Sequence, residues 1–211
     1  MENEKIIPKR TLQRLPIYLS HLKGLEDSKV LYVSSPQIAK ALNLNEVQVR
    51  KDLAMVCTKS GRPKKGFELK LLIKDLESVL GYGDISEAIL AGAGNLGKAL
   101  LSYPGFEECG VKIIAAFDRN PNMVGEEIGG KTVFAMSRMR NLCERMKVKI
   151  GVITVPEESA QEVCNMMVES GIKAIWNFAR INLKVPEDVI VHDENLAVAL
   201  SLLSISLNDK K

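Results

Sequence analysis

The chain has 211 residues, 46% of them apolar and 26% charged, with a formal net charge of +3, which is ordinary for a soluble globular protein. The length suits one large domain or two modest ones, and either can bury a sizeable core. No run approaches the ~20 apolar residues of a membrane span, and the first residues do not read as a secretory signal, so a cytoplasmic protein is expected.

The first predicted element covers residues 8–27. There Leu12, Leu15, Leu19, Leu22 and Leu25 recur at spacings of three and four and mark one face of an amphipathic helix. Pro16 falls inside it and removes a backbone donor, which predicts a kink. A short β-prone run at 30–33 follows, and then Ser34, Ser35 and Pro36 read as an N-cap with proline in the first helical turn. A helix over 36–42 ends at Asn43, Leu44 and Asn45, and Asn45 can cap a second helix reaching about residue 58. Two short helices around a tight turn are the helix-turn-helix signature.

Residues 59–66 are rich in glycine and base and contain no acid. With 67–71 behind them they read as a hairpin whose tip is a basic wing. A helix over 73–80 closes the first domain, and residues 81–84 make a linker. These residues 1–84 carry 15 Lys and Arg against 10 Asp and Glu, while the remainder carries 14 against 16. The basic front half fits a polyanionic partner.

From Ala88 the pattern alternates strand and helix. Strands are predicted at 88–91, 111–118, 149–155, 173–178 and 189–192, and helices at 96–102, 138–146 and 157–170. Apolar strands joined by helices of this length imply a parallel sheet covered on both faces, a Rossmann-type α/β domain over 85–193. The last segment, 194–211, opens a helix that is apolar nearly all round. Such a helix must be buried, and a partner subunit is the simplest place for it.

Residues Gly92, Ala93, Gly94, Asn95, Leu96 and Gly97 form a Gly-x-Gly-x-x-Gly turn between a strand and a helix. Gly92 permits the tight turn, Gly94 lets a pyrophosphate approach the backbone, and Gly97 allows close helix–sheet packing, while the helix N-terminus supplies amide donors. The second strand ends in Phe117 and Asp118, where an acid is expected to bind ribose hydroxyls. Asp118 favours NAD over NADP, although Arg119 beside it tempers the preference. A sheet that keeps the turn but binds coenzyme A, or nothing, is the competing reading.

Nothing in the chain reads as a catalytic centre. None of Tyr18, Tyr32, Tyr82 and Tyr103 is followed four residues on by lysine, so the short-chain dehydrogenase pair is absent. His21 and His192 read as structural. The four cysteines Cys57, Cys109, Cys143 and Cys164 lack metal-ligand spacing, so reduced thiols and no metal are expected. A small NAD-dependent oxidoreductase with a basic accessory domain stays open as the alternative.

The whole chain resembles the redox-sensing repressor family Rex. The resemblance runs from Arg14, Leu15, Pro16, Ile17 and Tyr18 through Val49, Arg50, Lys51, Asp52 and Leu53 to the glycine turn. It continues through Tyr103, Pro104, Gly105 and Phe106, then Thr154, Val155 and Pro156, then Gly171 to Lys173, Asn177 and Phe178, and the terminal helix. It implies a homodimer with swapped terminal helices that holds palindromic double-stranded operator DNA and releases it when NADH binds.

On this resemblance Arg50 and Lys51 lie on the recognition helix, suited to guanine and phosphate respectively, with Gln48 a further base contact and Asn45 at the helix start. Arg14 resembles a backbone-contacting arginine of the first helix. Lys59, Arg62, Lys64 and Lys65 would meet phosphates or a minor groove. Tyr103 resembles a tyrosine lining the nicotinamide pocket, and Thr154 and Asn177 fall in motifs at the cofactor edge.

Three departures stand out. The family's aromatic-Gly stretch followed by Arg-Gly-x-Gly-Tyr in the wing region is replaced by a stretch running from Met55 to Phe67. Asn195 stands where the terminal helix often begins with an acid, and Ser20 where some members have its arginine partner. Arg180 replaces a common proline. The first puts the operator sequence in doubt, the second the strength of the NADH response.

Overall fold

The computed structural model describes residues 7–26, 28–58, 61–62, 65–81 and 85–208. The chain divides into two units, Met1–Asp84 and Ile85–Lys211. In the first, the leucine stripe is broken into α1 (Lys9–Leu12) and α2 (Leu15–Lys23). The interruption at Gln13 and Arg14 precedes Pro16, which sits in the first turn of α2, where a helix has no use for its missing N–H. The expected kink at Pro16 is therefore a break ahead of it. Leu12 is exposed, while Leu15, Tyr18, Leu19 and Leu22 are buried.

After β1 (Tyr32–Val33), α3 (Ser35–Leu42) starts with a reciprocal cap. The Gln37 amide donates to Ser34 Oγ at 3.4 Å, and Ser34 N donates to Gln37 Oε1 at 2.8 Å. Asn43 closes α3 in the left-handed region at φ 53°, a conformation asparagine tolerates better than most residues. Then α4 (Glu46–Val56), β2 (Phe67–Glu68) and α5 (Leu69–Leu80) complete the unit.

The hairpin expected around the basic loop is reduced to one antiparallel bridge between Arg62 and Gly66, and the strand that follows pairs elsewhere. β2 lies antiparallel to β1, with Tyr32 opposite Glu68 and Val33 opposite Phe67. The strand after the loop therefore joins one that precedes the helix-turn-helix. Leu69 and Lys70 already belong to α5, because Leu69, Leu72, Ile73 and Leu76 are buried at helical spacing. The linker residues Tyr82, Gly83 and Asp84 lie outside the described residues.

The second unit runs β3 (Ser86–Ala91), α6 (Asn95–Leu101), α7 (Gly105–Glu108), β4 (Val111–Asp118), β5 (Glu127–Ile128), β6 (Lys131–Ala135), α8 (Met139–Met146), β7 (Ile150–Ile153), α9 (Glu157–Glu169), β8 (Ala174–Asn177), β9 (Ile190–Asp193) and α10 (Leu196–Asn208). Its sheet has the order β5-β6-β4-β3-β7-β8-β9. Every neighbouring pair is parallel except β5 with β6. That antiparallel pair goes beyond the sequence reading, although Gly129 and Gly130, at φ 55° and 75°, are the residues a two-residue hairpin turn requires.

Strand alternation, interrupted on β4 by a register shift between Ile113 and Ala115, assigns the two faces. Ile89, Ala91, Ala115 and Phe117 pack with Met139 and Cys143 of α8 and Ala160 and Cys164 of α9. Ala88, Leu90, Ile113 and Ala116 pack with Leu101 of α6. The apolar side chains of α10, among them Leu196, Leu200, Leu203 and Leu207, are exposed, so the chain by itself does not supply the burial its composition calls for. Among the described residues no helix is long and apolar enough to cross a membrane.

Candidate functional site

Asn45 caps α4, its Oδ1 accepting from Gln48 N at 3.2 Å. Substituting Asn45 by alanine is expected to lower stability by about 1 kcal/mol, read as a shift in denaturant midpoint; an unmoved midpoint would discount the cap. Arg50 and Lys51 are exposed on α4, and Arg50 makes only a loose contact to Glu46 at 3.9 Å, leaving both side chains accessible.

Arg14 and Gln48 are held differently from expectation. Both converge on Asp52, whose side chain is fully buried. Arg14 donates from Nε to Oδ2 at 2.7 Å and from Nη2 to Oδ1 at 2.9 Å, and the Tyr18 hydroxyl donates to Oδ2 at 2.8 Å. Thr11 Oγ1 at 3.1 Å and Gln48 Nε2 at 3.0 Å complete the set on Oδ1. Burial alone would raise the Asp52 pKa, but these hydrogen bonds, led by Arg14, outweigh it and hold the carboxyl below its usual range. The same burial and the bond to Asp52 push the Tyr18 phenol up to about 12. Asp52 was overlooked as a functional residue, since nothing local marks one acid in a helix as an anchor.

At the wing, Lys59 and Lys64 lie outside the described residues. Arg62 and Lys65 are exposed at the ends of a turn in which Arg62 N donates to Gly66 O at 2.8 Å and Gly66 N to Arg62 O at 3.0 Å.

The glycine turn sits where β3 feeds α6. Gly92 has φ 102°, and a Cβ there would lie 2.9 Å from the Thr154 carbonyl carbon. Thr154 Oγ1 lies within hydrogen-bond reach of the carbonyls of Gly92 at 2.7 Å and Ala91 at 3.0 Å, which share its one proton and tie the turn to the end of β7. A Cβ on Gly97 would overlap the Gly92 carbonyl, whereas one on Gly94 would meet nothing within 4 Å. Gly94 and Asn95 are exposed and Leu96 is half-buried.

Asp118 ends β4 with its carboxylate across this turn. Oδ2 accepts from Ala93 N at 2.7 Å and Oδ1 from Asn120 N at 2.8 Å. A cavity of about 340 Å³ opens here, lined by Gly92, Gly94, Asp118, Arg119, Thr154 and residues of α9. Its floor and rim combine an acid, an arginine and bare backbone, which suits a phosphorylated ribose at the mouth of a strand-to-helix turn.

Tyr103 is not among the residues lining that cavity. It begins an aromatic row on the α6 side of the sheet: Tyr103 meets Phe106 edge-on at 5.0 Å, Phe106 meets Trp176 at 5.7 Å, and Trp176 meets Phe178 at 4.5 Å. Of five phenylalanines, four tyrosines and one tryptophan, four residues gather here. The sequence reading overlooked Trp176, which β alternation on β8 would have turned toward this face.

Asn177 ends β8. It is fully buried, and its Nδ2 lies within hydrogen-bond reach of the carbonyls of Ala179 at 3.1 Å and Ile181 at 3.0 Å and of Asp193 Oδ1 at 2.8 Å. It shapes the loop after β8 rather than facing the cavity. Asn195 caps the start of α10, accepting from Val198 N at 3.0 Å. Burial pushes the Cys57 thiol up to about 12 and Cys143 to about 11, which disfavours the reactive thiolate. Among the described residues no group of three His, Cys, Asp or Glu could hold a metal ion.

The family model described as "Putative DNA-binding protein N-terminus" matches residues 6–54, and that described as "CoA binding domain" matches 84–181. The redox-sensing transcriptional repressor Rex of Treponema denticola is 42% identical over 100% of both chains. That of Bacteroides thetaiotaomicron is 42% identical over 98% of this chain and 97% of its own. The crystal structure of RSP, a Rex-family repressor, in complex with beta-NAD+ and operator DNA matches with a TM-score of 0.88 at 33% identity, covering 97% of this chain and 94% of that one. The winged helix-turn-helix, the Rossmann-type sheet and this identity along the full length agree, and the chain belongs to the redox-sensing transcriptional repressor Rex family.

Proposed function

We propose that this chain is an NADH-responsive transcriptional repressor that acts on operator DNA from the cytoplasm and performs no catalysis. The observation that carries the reading is the Asp118 carboxylate held 2.7 Å from the glycine-turn amide, at the mouth of a cavity, on a chain that also bears a capped recognition helix. The relative RSP, described in one crystal structure with beta-NADH and in another with beta-NAD+ and operator DNA, supports the same pairing of ligands.

In this reading Gly92, Ala93, Gly94, Asn95, Leu96 and Gly97 cradle the pyrophosphate, Asp118 takes the ribose hydroxyls, and Arg119 and Thr154 flank them. Tyr103 and its aromatic row serve the nicotinamide end. NAD(H) supplies no chemistry here; its occupancy is the signal. Arg50 reads bases, Lys51, Arg62 and Lys65 hold phosphates, and Lys59 and Lys64 add to the basic wing. Gln48 can reach a base only by exchanging its bond to Asp52. Arg14 serves as a positioning residue through the same carboxylate. The exposed apolar face of α10 supports a homodimer in which a second copy covers it.

The test is anisotropy of a labelled palindromic duplex, selected from a random pool on the full-length protein. Saturating NADH is expected to weaken binding about 10-fold or more, and NAD+ to weaken it less. Equal affinity with and without NADH would overturn the sensing claim. The neutral Asn195 favours a second reading, a repressor with a blunted response, and a shift of only a few-fold would select it.

A further inference from the structure

We propose that Tyr32 positions the wing, holding Arg62 and Lys65 in place on its ring before DNA arrives. The proposal rests on the DNA-binding reading above. Tyr32 is half-buried in β1, outside both helices of the helix-turn-helix, opposite Glu68 in the strand that leaves the wing. The Arg62 guanidinium carbon lies 5.7 Å from its ring centroid, and Lys65 Nζ also lies 5.7 Å from it. Both distances fall within the reach of about 6 Å over which a ring quadrupole attracts a cation. Arg62 Nη1 in addition donates to the Tyr32 hydroxyl at 3.3 Å. One ring thus gathers two cations whose backbones are joined by the bond from Lys65 N to Arg62 O at 3.1 Å.

The backbone shows why the ring and the turn meet. Gly66 has φ 82°, and a Cβ there would overlap the Val33 carbonyl oxygen and lie 2.9 Å from Ser34 Cα. The turn is seated directly on the residues that follow Tyr32, and only glycine allows that approach. Ser34 is also the cap of α3, so the wing is registered against the start of the helix-turn-helix.

Arginine and lysine side chains are rich in rotamers, and part of that freedom is lost when they clamp a phosphate. Cations already gathered on a ring lose less of it on binding. Tyr32 then sets how strongly the wing contributes, while the number of phosphates neutralised is set by Arg62 and Lys65 themselves.

The experiment measures binding of the selected palindromic duplex to full-length protein across a salt series. Tyr32→Leu is expected to weaken binding about 3- to 10-fold with the salt slope preserved, because the cations remain. Arg62→Ala with Lys65→Ala is expected to weaken binding and flatten the slope by up to about 3.6, since two cations leave each of the two wings that the dimer sets on the palindrome. Adding Tyr32→Leu to that pair should then change nothing further. Tyr32→Phe keeps the ring and loses only the hydroxyl bond, so it should retain most of the affinity, and it serves as the second variant if the leucine protein fails to fold. An undiminished affinity of Tyr32→Leu, or an equal loss from it with and without the two cations, would overturn the proposal. Parent protein that binds no duplex would instead remove the DNA-binding reading itself.

Discussion

Asp52→Ala is expected to destabilise the N-terminal unit by about 3 kcal/mol and to abolish DNA binding with it. The substitution leaves Arg14 and Tyr18 without the acceptor that their burial depends on, and it frees Gln48 from its tether. Breaking a buried, hydrogen-bonded ion pair is among the few single changes with so large an effect, since one charge stays behind with its partner gone. Arg14 keeps partial access to water, which places the loss at the lower end of the range for such pairs. Far-UV circular dichroism in denaturant follows the helices of both units, and the single tryptophan, Trp176, marks the transition of the second unit, so the remaining helical transition reports the N-terminal unit. The helical transition should move to lower denaturant in the variant and the tryptophan transition should hold. A helical midpoint identical to the parent's would remove Asp52 from its assigned role.

The same cluster gives the unit a pH window. The Asp52 pKa is lowered on folding, so its contribution is fully present above the unfolded carboxyl value of about 3.9 and is lost as pH falls below it. The Tyr18 pKa is raised on folding to about 12, so its contribution is complete below the ordinary phenol value of about 10 and fades as pH climbs toward 12. Parent and Asp52→Ala stabilities should therefore converge at low pH, where Asp52 is protonated, whereas at high pH a difference should persist because Arg14 stays charged against the Asp52 carboxylate.

The second large effect concerns the glycine turn, where two alanine substitutions should behave in opposite ways toward the fold. Gly94→Ala adds its methyl into open space at an ordinary φ of −71°, so the protein should keep the parent's stability. That space is where a pyrophosphate would lie, and NADH affinity should drop about 100-fold or more. Gly97→Ala drives its methyl into the Gly92 carbonyl, so α6 must move off the turn, and both stability and NADH affinity should fall. Both variants should still hold the duplex, because the recognition helix belongs to the other unit, and Gly94→Ala should act as a repressor deaf to NADH. Calorimetric titration with NADH reads the first property and duplex anisotropy the second. A Gly94→Ala protein that binds NADH like the parent would discard the turn as the phosphate cradle.

The recognition helix and the glycine turn were legible because their determinants are short-range. A cap needs one side chain three residues from an amide, and a left-handed turn needs a residue free of its Cβ. Ser34, Asn45, Gly92, Gly97 and the terminal acid of β4 announce themselves on those grounds. The position of Asp118 follows from strand length and the 20-residue spacing, which parallel topology enforces.

The partner of the wing's strand was not legible, because it pairs with β1, 35 or so residues away, and no local pattern names a partner at that range. The hydrogen bonds of Asn177 were out of reach for a related reason. Its motif marked the right strand end, yet the choice between facing the cavity and knitting the following loop depends on where Ala179, Ile181 and Asp193 fall.

Helix periodicity, strand alternation, caps and glycines thus determined by sequence alone that a helix-turn-helix precedes a dinucleotide-type sheet. Tertiary structure alone decided which polar and aromatic groups share one environment. Asp52 gathers donors from as far as 41 residues away, Arg62 reaches Tyr32 across 30, and Tyr103 opens a row that ends at Phe178. Hydrogen-bond strength and ring contacts fall away within a few ångströms, so partners remote in the chain are chosen by packing, and packing is a property of the whole fold.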